Sequence, residues 1–156
     1  MRGVVLLVVL VACSRPADDK AFAALQQRGE AVMGVDQYTS AHVFEDLPDG
    51  GRIVLDRTDS TDAAGITTIR QHLRDIAVAF RAGDFSTPFM VHAHEVPGTA
   101  LMTAHRAALT YTVLDRPRGG EVRIHSTDPA AVKAVHEFLA FQRTDHRASG
   151  HEGMTP

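Results

Sequence analysis

The chain has 156 residues, with 16 Lys plus Arg against 19 Asp plus Glu, nine His, one Cys, no Trp and a formal net charge of -3. That length suits one domain, and 44% hydrophobic with 22% charged residues is a globular balance, which excludes a multidomain enzyme and a disordered or collagen-like chain. No Lys/Arg block offsets the acidic balance, which argues against a nucleic-acid partner, and a single cysteine excludes a disulfide framework or a CxxC zinc site.

Met1-Arg2 forms a short basic start, and the apolar run Val4 to Ala12 has the length of a signal-peptide core, too short for a membrane span. Its end, Leu10-Val11-Ala12-Cys13, resembles the lipobox of bacterial lipoprotein precursors. The resemblance implies a signal peptide over 1–12, acylation of the Cys13 thiol by palmitate-type chains, and a tether over 13–19. The protein would then be held at the cell envelope, facing the periplasm or the extracellular side. Acyl chains bind membrane through about 0.8 kcal/mol per buried CH2, so this anchor needs no transmembrane helix. An ordinary secretory signal with an incidental cysteine is the alternative. Ser14 in place of Asp favours the outer membrane under enterobacterial-type sorting, a rule that varies between bacteria.

Lys20 to Val32 has helical composition. Ser40 to Leu47 alternates as a strand, Pro48-Asp49-Gly50-Gly51 reads as a turn, and Arg52 to Arg57 alternates again, which predicts a hairpin. Thr61-Asp62 then supplies an N-cap, and Ile66, Ile69, Leu73, Ile76 and Phe80 recur at helical spacing until Gly83. Phe85 to Arg106 carries Pro88 and Pro97 and reads as a long connection, a place where function often sits. The order then repeats. Ala108 to Leu114 and Glu121 to Ser126 read as strands about a turn at Arg116 to Gly120, and Asp128-Pro129 opens a helix whose face carries Val132, Val135, Leu139 and Gln142. Gly50-Gly51-Arg52-Ile53 aligns with Gly119-Gly120-Glu121-Val122. The expected fold is α+β: two tandem ββα units (about 39–84 and 107–146) forming a four-stranded, mostly antiparallel sheet with helices on one face, plus an N-terminal helix. The domain spans 20–146, with a flexible tail over 147–156.

The histidines are the compositional excess. His72 and His136 both fall on or beside the apolar stripe of their helices, so related repeats would bring the two imidazoles together beneath the sheet. In an extended segment Met90, His92 and His94 would point to one side, and imidazole with thioether is a ligand set that suits copper. Histidine alone would also serve zinc. The plain alternative is that each is a satisfied core or solvated residue. His146, near a helix end, has the helix dipole as its simplest explanation, and His151 lies in the polar tail. Met33, Met102 and Met154 are too scattered for a methionine-rich motif and read as packing or tail. No GxSxG elbow, HExxH helix, P-loop or GxGxxG occurs, and no partnered acid/base pair stands out.

Met33 to Gln37, His42-Val43-Phe44, Ile69 to Leu73, Gly83-Asp84-Phe85, Pro88 to His92, Pro97-Gly98, and Val135 to Gln142 with Asp145-His146 resemble a family of small exported bacterial proteins of uncharacterised function. The resemblance covers roughly Val32 to His146 and implies one domain. It marks His42, His72, His92, His136 and His146, and leaves His94, His105 and His125 outside the pattern. Three readings follow. The first is a membrane-anchored lipoprotein that binds a transition metal, copper before zinc, through His42, His72, His92, His136, His146 and Met90 at the junction of the repeats. Haem on two of these imidazoles is a variant. The second is a non-catalytic binding or scaffold module of the envelope with structural histidines, docking a partner protein or a second copy. The third is a small enzyme with His92 or His136 as general base, which the lack of a partnered nucleophile disfavours.

Overall fold

The computed structural model describes residues 16–148; the expected signal run, Cys13, His151 and the end of the tail lie outside the described residues. The first helix, α1, runs Pro16–Met33, longer at both ends than its composition indicated. A hairpin follows, β1 (Ser40–Leu47) and β2 (Gly50–Arg57), and then α2 (Ala63–Ala82). Two short helices come next, α3 (Ser86–His92) and α4 (Thr99–Ala104), with a 3-10 turn at Arg106–Ala108. The second hairpin is β3 (Thr110–Arg116) and β4 (Gly119–His125), and α5 (Pro129–Asp145) closes the fold. No helix among the described residues is long and apolar enough to cross a membrane.

The sheet order is β1-β2-β4-β3, with every neighbour antiparallel. The repeat seen in the sequence is present in the register. Val43 pairs with Val54 in the first hairpin, and Thr112 pairs with Arg123 at the equivalent place in the second. At the centre Ile53 faces Val122, its own counterpart, so a pseudo-twofold axis passes through that pair. Antiparallel pairing of two equivalent strands makes this symmetric contact, and it joins two half-cores into one.

α5 packs on β1 and β2, and α2 on β2, β3 and β4. Alternation along the strands turns Phe44, Ile53, Leu55, Tyr111, Val122 and Ile124 toward these helices. Ile69, Leu73 and Phe80 of α2 and Val135, Phe138 and Leu139 of α5 meet them with almost no exposed surface. Both helices start on a carboxylate cap: Asp62 accepts from the Gly65 N–H and Asp128 from the Ala130 N–H. α2 stops at Gly83, whose φ of 82° suits a residue without Cβ. Close packing needs glycine at matched places in the two hairpins. A Cβ on Gly51 would lie 2.2 Å from Leu139 Cδ1, and one on Gly120 2.8 Å from Leu73 Cδ1.

The other face of the sheet carries charged rungs. Arg52 lies between Glu45 and Glu121, and Arg116 reaches Asp56 and Glu121. The connection between the repeats, expected as a loop, is largely helical: α3 packs on α1, and α4 on α5. Thr87 and Pro88 fall in the first turn of α3, where a proline's missing N–H costs no helical bond. Helical geometry also corrects the arrangement expected for Met90 and His92. Two residues apart on a helix they diverge, so Met90 is exposed and His92 buried.

A candidate site in a histidine-lined cavity

The ends of α1 and α5, the start of β1 and the buried sides of α2 and α3 surround a cavity of about 50 Å³. Its walls are largely apolar, with Phe44, Ile76, Phe80 and Phe138 among them, and they also hold His42, His72, His92, His146 and the Met33 thioether. Four histidines widely separated in sequence therefore converge on one space. The ring centroids of His42 and His146 are 5.7 Å apart, and those of His92 and His146 are 5.0 Å apart.

His42 projects inward from β1 next to Phe44 on the same face. Its Nε2 lies 3.0 Å from Ser40 Oγ, and the Ser40 hydroxyl donates to the Asp36 carbonyl. The serine has then used its proton, so His42 donates through Nε2–H, and Nδ1 keeps the lone pair. His146 stands at the end of α5. Its Nδ1–H donates to Gln37 Oε1 at 2.9 Å, while the Gln37 amide donates to the His146 carbonyl at 2.7 Å. The same Gln37 oxygen accepts from Gln26 Nε2 at 2.8 Å, which fixes the amide orientation. His146 Nε2 thus carries the lone pair. Burial is the main cause that brings His42 and His146 down to about 3, with repulsion between neighbouring imidazoles adding to it. His72 on α2 is brought down to about 4, again by burial, against a smaller opposing pull from Asp75. All three are neutral at physiological pH.

His92 differs. Its Nδ1 donates to Asp145 Oδ2 at 2.5 Å and its Nε2 lies 3.1 Å from the Gln142 amide, so both nitrogens are engaged. Burial lowers its pKa against the upward pull of Asp145. Gln142 presents Oε1 to Nε2, so this bond is made when Nε2 carries the proton, and the bond to Asp145 when Nδ1 does. This is a carboxylate-oriented imidazole whose two hydrogen bonds go to Asp145 and Gln142, neither a hydroxyl nor a thiol.

Of the six side chains expected to bind metal, His42, His72, His92 and His146 reach this space, while His136 and Met90 do not. Their failure has geometric causes. His72 is the tenth residue after its cap Asp62 and His136 the eighth after Asp128, so the two helices do not present them at equivalent heights. His136 Nε2 donates instead to the Leu47 carbonyl at 2.9 Å, beside Pro48 at the far end of the first hairpin. Met90 lies on the solvent side of α3. The histidines outside the expected set also have local partners: His94 with the Glu95 carbonyl, His105 with Asp128 and His125 with Asp49.

Met33, read from the sequence as packing, belongs to the cavity wall, as does Gln142. Gln37 and Asp145 orient two of the imidazoles from behind. All four lie within the segments that carry the family resemblance, and that was the available signal. Among the described residues no three His, Cys, Asp or Glu side chains form a group that could hold a metal ion. What the arrangement does offer is a lone-pair nitrogen on each of His42, His72 and His146 and the Met33 thioether around an apolar space the size of an ion or a very small molecule. The volume does not fit a haem macrocycle. The chain matches no family model, no curated protein and no solved structure.

Proposed function

We propose that this protein is a lipoprotein of the cell envelope, anchored through Cys13, whose cavity binds one copper(I) ion between His42 Nδ1 and His146 Nε2 with the Met33 thioether beside them. The observation that carries the reading is the 5.7 Å separation of two neutral imidazoles, each with its other nitrogen committed to a hydrogen bond. Two imidazoles on one ion, each bound at about 2.0 Å, put their ring centroids at most about 6.4 Å apart, so the spacing admits an ion after small ring rotations. Copper(I) accepts two or three soft ligands, whereas a structural zinc site asks for four. An apolar wall also favours the monovalent ion, because a divalent one loses more solvation on entry. The hydrogen bonds from His42 toward Ser40 and from His146 to Gln37 are the outer partners that fix tautomer and ring direction in metal sites.

The test is a titration of the protein, purified without a His-tag, with copper(I) in competition against a chromophoric chelator, alongside copper(II) and zinc(II). The expected result is one copper(I) bound tightly, with a raised Tm, and zinc held no more firmly than by surface histidines. The full engagement of His92 supports a second reading, in which all four imidazoles are structural and the partner docks elsewhere. That reading holds if none of the three ions binds with defined stoichiometry.

A further inference from the structure

Three of the residues lining the cavity, Met33, His72 and Thr87, are half-buried, and every other one is buried. The same three, with Ile76, also line an outer groove formed by the end of α1, the exposed side of α2 and the first turn of α3. Groove and cavity therefore share these four side chains as a common wall. A second crevice, between α1 and the end of α5, reaches the cavity wall at His92, but that ring is buried and pinned at both nitrogens. Among the described residues the His72 ring has no hydrogen-bonded partner, so rotation about its side-chain bonds breaks no bond there. Asp75, exposed and one turn further along α2, stands in the groove beside it and supplies a negative charge at the outer side.

Resting on the copper(I) reading of the cavity, we propose that this shared wall is the port through which the ion enters and leaves, and that His72 is its transfer ligand. The imidazole takes a soft monovalent cation in the groove next to Asp75, swings inward past Thr87, and releases it to His42 and His146. The coordinate bond to the His72 lone pair is exchanged for those to His42 and His146, and the ion keeps its oxidation state while no proton moves. A port of this kind controls rates while leaving the final affinity to the inner pair.

The experiment is stopped-flow uptake of copper(I) from a weak chelator, and its release to a strong one, for wild type, His72→Leu and Thr87→Tyr. His72→Leu removes the transfer ligand with little change in volume, and Thr87→Tyr narrows the port from the α3 side. Both are expected to slow uptake and release together by at least tenfold, with Kd within threefold of wild type and the circular dichroism unchanged. Uptake and release at wild-type rates in both variants overturn the port while leaving the cavity site standing. A faster release with unchanged uptake in His72→Leu makes His72 a resident ligand and also overturns it. A wild type that binds no copper(I) removes the metal reading itself and the port with it. A variant that fails to fold is replaced by His72→Gln or Thr87→Val, judged by the same rates.

Discussion

Acidification tests the neutral cavity directly, whatever it binds. Folding holds His42 and His146 down at about 3 and His72 at about 4, so between those values and about 6.5 the unfolded chain binds protons that the folded chain excludes. Each imidazole therefore contributes stability that is complete above about pH 6.5 and is lost as the pH falls toward its folded value. From pH 7 to pH 5 the loss is about 2 kcal/mol for each ring that stays neutral, a figure set by the unfolded value and insensitive to where between 3 and 4 the folded value lies. With His72 discounted for its partial exposure, the three together lose roughly 4 to 6 kcal/mol, a large share of the 5–15 kcal/mol that holds a typical domain. The carboxylates held low by hydrogen bonds and arginines, Asp49, Asp62 and Asp128 among them, add their losses only below that window. Urea denaturation at pH 7, 6 and 5, with chelator present to keep metal out, measures the slope. Two to three protons taken up on unfolding near pH 5 is the expected outcome. An uptake below one proton, or a loss under about 1 kcal/mol over the two units, shows that the imidazoles are solvated and refutes the cavity as described.

Gln37→Ala leaves the buried His146 Nδ1–H without an acceptor, and a stability loss of about 1–3 kcal/mol by denaturant titration is expected. Gly51→Ala forces a Cβ against Leu139 and the Glu45 carbonyl and costs roughly 2–4 kcal/mol, whereas Gly29→Ala, on α1, stays within about 1 kcal/mol; comparison of the two melting curves checks this. Asp62→Ala removes the cap of α2 and lowers stability by about 1 kcal/mol without altering the cavity histidines, as their NMR signals will show. Phe80→Ala, at the centre of a cluster with Phe85, Tyr111 and Phe138, costs about 3–5 kcal/mol, read from the unfolding midpoint.

The repeat was readable from the residues because its signals are local. Each hairpin announces itself through a Gly-Gly turn and period-two alternation, and each long helix through an Asp cap and a 3.6-residue stripe. The connection between the repeats hid its helices because α3 and α4 are too short for a periodic stripe and contain Pro88. The site was readable only in part. His42, His72, His92 and His146 were singled out by type and spacing, but no local pattern says which end of a helix faces which strand. His136 lies beside the apolar stripe, at helical spacing from Val132 and Leu139, and still points to Leu47, because a two-residue offset from the cap relative to His72 turns its side chain by about 200° about the helix axis. Met33 was invisible as a cavity residue, since its role depends on α1 crossing the mouth formed by α2 and α3, a tertiary arrangement with no sequence period.

The most direct test of the central claim is the 15N spectrum of the histidine rings before and after one equivalent of copper(I). The account predicts that His42 Nδ1 and His146 Nε2 shift, while His42 Nε2 and His146 Nδ1 keep their protons on the hydrogen bonds toward Ser40 and to Gln37. Shifts confined to exposed rings such as His94, with His42 and His146 unmoved, would contradict it.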